Sequence, residues 1–139
     1  VKRNIDLVFY IESEDEAVQL INLANQFDIC LVPFGGGTSV SSALIIPESE
    51  TRMVVAVDTR RMDKIEWINE KDRRVCVQAG ITGSRMEELL GEKGFMVGHE
   101  PDSIELSTLG GWIATNASGM KKNRYGNIED IVENVTMVR

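Results

Sequence analysis

The stretch DICLVPFGGGTSV, residues 28–40, runs from a short apolar segment straight into three consecutive glycines. Cys30, Leu31, Val32 and Phe34 read as a strand, which Gly35, Gly36 and Gly37 end. Glycine costs about 0.5–1 kcal/mol against alanine inside regular structure, because its backbone has more freedom to lose. Three in succession need a local reason. Backbone without Cβ approaches an anion closely, and consecutive N–H groups curl into a positively polarised nest, to which Thr38 and Ser39 add hydroxyl donors. A tight turn between strands uses glycine equally well, so the loop alone leaves both readings open.

Upstream, IDLVFYIE is β-rich, and Ser13 and Glu16 have the S-x-x-E spacing of a capping box that opens a helix. Ala17, Leu20, Ile21, Ala24 and Phe27 follow at helical spacing and predict its buried face, with Gln19, Asn22 and Gln26 outside. Strand, helix, strand and loop in that order predict a layered α/β unit. Downstream, MVVAVD predicts a strand and KIEWINEKDRRVCVQAG two more, together a β meander. TGSRMEELLGEKG predicts a short helix closed at Gly94, with Met86, Leu89 and Leu90 inside. FMVGHEPDS reads as a strand entering a second irregular loop, and STLGGWIATNASG as a helix capped by Ser107 and terminated by Gly119. Mixed strands with hairpins and few helices predict an α+β fold.

The 139 residues, 42% hydrophobic and 27% charged, match the size of one domain. With 15 basic and 22 acidic residues the net charge is -7, which argues against nucleic acid or an anionic membrane as partner. An anionic ligand must therefore be held locally. Cys30 and Cys76 lie in apolar runs with no ligand spacing around them, which predicts buried reduced thiols and no metal site. The chain starts at Val1 and stops at Arg139 inside the β-like run NVTMVR, so a piece of a longer protein is expected, incomplete at its C-terminal end.

Two familiar phosphate loops fail against the text. No Lys follows the glycines at Walker spacing, and the G-x-G-x-x-G pattern begun at Gly35 meets Val40 where glycine is required. Three or four hydrogen bonds to a diphosphate, at roughly 1.5–3 kcal/mol each, total about 5–12 kcal/mol, against ~4–15 kcal/mol for association. A second surface is needed. HEPDSIELSTLGGWIATNASGMKKN, rich in small and hydroxyl residues and carrying Gly110 and Gly111, is the natural candidate.

PFGGGTSV followed by GHEPDSIELSTLGGWIATNASGMKKNRYGNIEDIV resembles the FAD-binding domain of the p-cresol methylhydroxylase and vanillyl-alcohol oxidase type, from about Asp6 to the end. Within that family, GHEPDS and ASGMKKN-x-YGNIED most resemble the alkyldihydroxyacetonephosphate synthases of ether-lipid synthesis. The resemblance implies an α+β fold of two small subdomains with mixed sheets, and FAD bound by residues at matching positions. Pro33, Phe34, Gly35, Gly36, Gly37, Thr38 and Ser39 would wrap the diphosphate. Asp102, Ser103, Ile104, Glu105, Leu106, Ser107 and Thr108 would line the cofactor toward the flavin ring, and Thr115, Asn116, Ala117 and Ser118 would complete the site. Because the glycine motif has no His, the implied attachment is non-covalent.

The same resemblance implies exchange of the acyl group of acyl-dihydroxyacetone phosphate for a fatty alcohol without net redox change. It also implies a peroxisomal or glycosomal location and a homodimeric full-length protein. The catalytic and lipid-binding residues are expected in a cap domain outside this chain. A flavin dehydrogenase of D-lactate or glycolate shares the glycine loop, and a flavin-free anion-binding or structural module uses the same small residues, so both stand beside the synthase reading. His99, the chain's single histidine, either faces the flavin or hydrogen-bonds within its loop. Lys121, Lys122 and Arg124 contact a phosphate or form a solvated turn, and Trp67 and Trp112 belong to core or flavin-adjacent packing.

Overall fold

A computed structural model describes residues 3–139. β1 (Leu7–Tyr10), β2 (Cys30–Phe34) and β3 (Val54–Asp58) form a parallel sheet in the order β1-β3-β2, and α1 (Glu14–Phe27) connects β1 to β2. β3 takes the centre because VVAVD is almost wholly apolar, and all five of its residues are buried. A strand flanked on both edges and covered on both faces reads as a continuous apolar run rather than an alternation. This corrects the expected meander, since MVVAVD leaves the two strands that follow it. Only β4 (Ile65–Asn69) and β5 (Arg74–Val77) form an antiparallel hairpin, turned through Arg73 at φ 54°.

The α1 cap forms as the spacing predicts. Ser13 Oγ accepts from the Glu16 N–H at 3.2 Å, while the Glu16 carboxylate accepts from the Glu12 N–H at 2.7 Å, one residue earlier than in a full capping box. The predicted inner face is only partly realised: Ala24 is buried, Ala17, Leu20 and Ile21 are half-buried, and Phe27 is exposed.

Around the hairpin lie α2 (Gly83–Gly91), α3 (Leu109–Thr115) and the one-turn helices α4 (Lys122–Tyr125) and α5 (Ile128–Ile131). Ile81, Met86, Leu90, Trp112 and Ile128 make their common core, packed against Val75, Val77, Phe95 and Val97. Each such fully buried side chain contributes roughly 1.5–3 kcal/mol of transfer free energy. The result is an α+β fold of two small subdomains, one on the parallel sheet and one on the hairpin.

Several local readings change. FMVGHEPDS is not a strand: the Val97 N–H bonds Glu87 Oε1 at 3.1 Å instead of a ladder partner, and Gly98 sits at φ 82°. NVTMVR forms no strand either. Thr108, not Ser107, caps α3, and Asn116 in the left-handed region, not Gly119, ends it. Both cysteines are free but half-buried, and Trp67 is exposed while Trp112 is buried. Among the described residues no helix is long and apolar enough to cross a membrane.

Candidate cofactor site

The loop leaving β2 runs directly against the segment before α3. A Cβ on Gly36 would lie 2.0 Å from the Leu106 carbonyl oxygen and 2.9 Å from Ser107 Cα, and one on Gly35 would lie 2.3 Å from Thr108 Oγ1. Such distances leave no room for a side chain, so Gly36 is required by the facing backbone of Leu106 and Ser107, and Gly35 by the Thr108 side chain, in a seam between the two subdomains. Gly37 serves differently: its φ of 66° belongs to the left-handed region, and a Cβ there would meet the Phe34 ring at 3.0 Å. The amides of Gly36, Gly37, Thr38 and Ser39 donate to no acceptor among the described residues. Four unspent donors in sequence, bent by a left-handed residue, are the kind of donor set a nest uses, and its chemistry suits an anion.

The opposing segment is held rigid by the stretch that opens α2. The Gly83 and Ser84 N–H groups donate to the Ser107 and Ile104 carbonyls at 3.2 and 3.0 Å, and Leu109 and Gly110 donate to Ile81 and Ala79 at 3.0 and 2.7 Å. Gly83 carries no side chain because a Cβ would collide with Ile104 and Trp112. Gly80 is tighter still, with a Cβ only 1.7 Å from the Thr59 carbonyl. Neither glycine figured among the expected site residues, although QAGITG repeats the small-residue signal of the first loop.

The hydroxyls of this segment are largely committed to the protein. Ser107 Oγ accepts from Trp112 Nε1–H at 2.7 Å, and Thr108 Oγ1 accepts from the Gly111 N–H as the α3 cap. Thr115 donates to the Gly111 carbonyl and Ser118 to Asn127 Oδ1, both at 2.9 Å. Asp102, Glu105 and Leu106 are exposed, Ser103 and Ile104 half-buried. The structure thus brings Pro33–Ser39 together with Leu106–Thr108, whereas Thr115–Ser118 lie at the far end of α3.

His99 is 1% exposed, and neither ring nitrogen has a hydrogen-bond partner. Its ring rests on Trp112, with centroids 4.8 Å apart. Burial pushes its pKa below the ordinary 6.5, with Glu129 pulling weakly the other way, so the imidazole is held neutral. The reading of a hydrogen bond within its loop is therefore not realised. Gly119 closes over it: a Cβ there would lie 2.9 Å from the Glu100 amide and 3.2 Å from His99 Nδ1. Lys121 pairs with Glu100 at 2.5 Å, which raises its pKa, while Lys122 and Arg124 are exposed on α4.

The family described as FAD binding domain matches residues 5–139. The chain belongs to that family. Its cofactor is FAD, and the free-amide nest and the glycine seam fit a dinucleotide's diphosphate. Among curated relatives, alkyldihydroxyacetonephosphate synthase of Caenorhabditis elegans is 50% identical over 138 residues, 99% of this chain and 23% of the relative. A solved structure of alkyldihydroxyacetonephosphate synthase aligns with a TM-score of 0.83 at 40% identity, covering 88% of this chain and 22% of the other. Mitochondrial D-lactate dehydrogenase (cytochrome) of Kluyveromyces lactis stands further off, 29% identical over 132 residues, 95% of this chain and 22% of the relative. This FAD binding domain therefore spans under a quarter of the length of each protein that it matches here.

Proposed function

We propose that this chain is the cofactor-holding part of an alkyldihydroxyacetonephosphate synthase. The full enzyme exchanges the acyl group of acyl-dihydroxyacetone phosphate for a fatty alcohol in ether-lipid biosynthesis. It works as a homodimer in the peroxisome or glycosome. The observation that carries the reading is the seam of Gly35 and Gly36 against Leu106–Thr108, because it joins the two small-residue stretches on which the resemblance rests. The 50% identity to the worm synthase, against 29% to the yeast dehydrogenase, favours the synthase over the 2-hydroxy acid dehydrogenase.

In this reading Pro33–Ser39 hold the diphosphate through main-chain amides, and Asp102–Thr108 with Thr115–Ser118 border the rest of the cofactor. FAD is held non-covalently, since Thr38 and Ser39 supply no imidazole to the loop and His99 lies buried against Trp112. The bound flavin supplies the reactive ring. The chain's own residues grip the diphosphate, while Trp112 and the neutral imidazole of His99 pack in the core behind that loop's partner segment. Substrate-binding and proton-moving groups belong to the remainder of the full-length protein.

Turnover by the full-length flavoprotein tests the reading. Release of fatty acid with formation of the alkyl ether, and no dye reduction by D-lactate, is the expected outcome. D-lactate oxidation without alkyl exchange would assign the chain to the dehydrogenases, and a protein that stays colourless after reconstitution with FAD would favour a flavin-free module.

A further inference from the structure

Asp58 ends the central strand β3 almost wholly buried, and its register partners on either side are both aromatic, Tyr10 on β1 and Phe34 on β2. Each aromatic ring carries an arginine from the turn that follows. The Arg61 guanidinium lies 4.9 Å from the Tyr10 ring centre and the Arg60 guanidinium 5.6 Å from that of Phe34, within cation–π range. Arg60 is locked in place: its backbone N–H and Nε donate to Asp58 Oδ1 at 3.0 Å, and its Nη2 donates to Oδ2 at 2.6 Å. The outer edge of the same ring borders Gly37, the left-handed residue of the loop: a Cβ there would lie 3.0 Å from Phe34 Cζ and 3.2 Å from its Cε2. A stack of successive contacts therefore runs from a buried carboxylate on the sheet, through its paired guanidinium and an aromatic ring, to the turn of the free-amide loop.

We infer that this stack holds the glycine loop in its binding shape, and that Arg60 is a positioning residue for the diphosphate of the flavin nucleotide. The inference rests on the cofactor reading above and adds to it a residue outside both small-residue stretches. A loop ordered before binding does not lose that conformational freedom on association, so the stack acts on affinity through Phe34 and Gly37 rather than by touching phosphate.

FAD affinity of the full-length protein, measured by flavin fluorescence on reconstituting the apoprotein, tests it. Arg60→Ala is expected to weaken binding about tenfold. Because that change also strands the Asp58 carboxylate, Phe34→Leu, which leaves the ion pair in place, forms the second arm and is expected to weaken binding similarly. If the two residues act as one stack, the double variant loses about tenfold and not a hundredfold. Arg60→Lys keeps the charge without the planar fork and retains the defect. Unchanged affinity in Arg60→Ala, additive losses in the double variant, or full rescue by lysine would overturn the inference. Gly36→Ala separates this failure from that of the cofactor reading: retention of FAD there sinks the reading itself, whereas its loss there beside intact binding in both stack variants sinks only the stack.

Discussion

Gly36 and Leu106 meet so closely that a single Cβ on the glycine would lie 2.0 Å from the leucine's carbonyl oxygen. The contact joins a loop leaving the parallel sheet to a turn of the other subdomain. The bareness of Gly36 is thus consumed by the protein's own backbone.

The α3 cap gives a local prediction. Thr108 is buried, and its hydroxyl is the side-chain acceptor for the Gly111 amide. Thr108→Val keeps the volume and removes the acceptor, at a cost of about 1 kcal/mol. Amide exchange at Gly111 and Trp112 in the full-length protein is expected to quicken about fivefold through local opening. Unaltered exchange would show that the cap contributes nothing.

Trp112 fills the core and donates to Ser107. Trp112→Phe leaves a void and an unpaired hydroxyl, which together cost about 1–3 kcal/mol. A lower urea midpoint for the transition of this domain is the expected result, and an unchanged midpoint would contradict the packing described.

His99 gives a pH dependence with a definite sign. Its pKa in the folded protein is held by burial below the ordinary 6.5. Between the two values the unfolded chain binds more protons, so its contribution to stability is complete above pH 6.5 and is lost as pH falls through that window. Urea titrations of the apoprotein from neutral to mildly acid pH should show declining stability that His99→Gln flattens. An identical slope in the variant would mean that another group titrates.

Gly80 and Gly91 form a contrasting pair. A Cβ on Gly80 would lie 1.7 Å from the Thr59 carbonyl oxygen, whereas one on Gly91 meets nothing within 4 Å. Gly80→Ala is expected to destabilise by more than about 3 kcal/mol, beyond the range of most point variants. Gly91→Ala is expected to stabilise by roughly 0.5–1 kcal/mol through helix propensity. Denaturant midpoints check both, and equal midpoints would refute the seam at Gly80.

Much of this was legible from local signals. The Ser13 cap, the strand running into the glycines and the small-residue stretch from Ser103 to Gly111 each follow from spacing and residue type. What escaped depended on distant partners. The continuous apolar run of VVAVD signalled a central strand, yet its nearness in sequence to the hairpin suggested a meander. Ser107 and Thr108 suit a helix cap equally well by type, and the choice is decided by Trp112, whose indole N–H needs an acceptor and takes Ser107. FMVG has a strand's composition but no partner, because a glutamate on α2 satisfies the Val97 amide. The α5 turn carried a readable sign that went unused, Asp130 three residues after Asn127, whose carboxylate accepts the Asn127 N–H at 2.9 Å. For Gly36 the local sequence shows only the need for bareness, since an anion and a facing backbone ask the same thing of a residue, and the Leu106 carbonyl is a partner seventy residues away.

The flavin content of the purified full-length protein, read from its visible absorbance in Gly36→Ala beside Gly91→Ala, tests the central claim most directly. The seam predicts a colourless Gly36→Ala protein and a wild-type flavin complement in Gly91→Ala. A Gly36→Ala protein carrying one FAD per chain would contradict it.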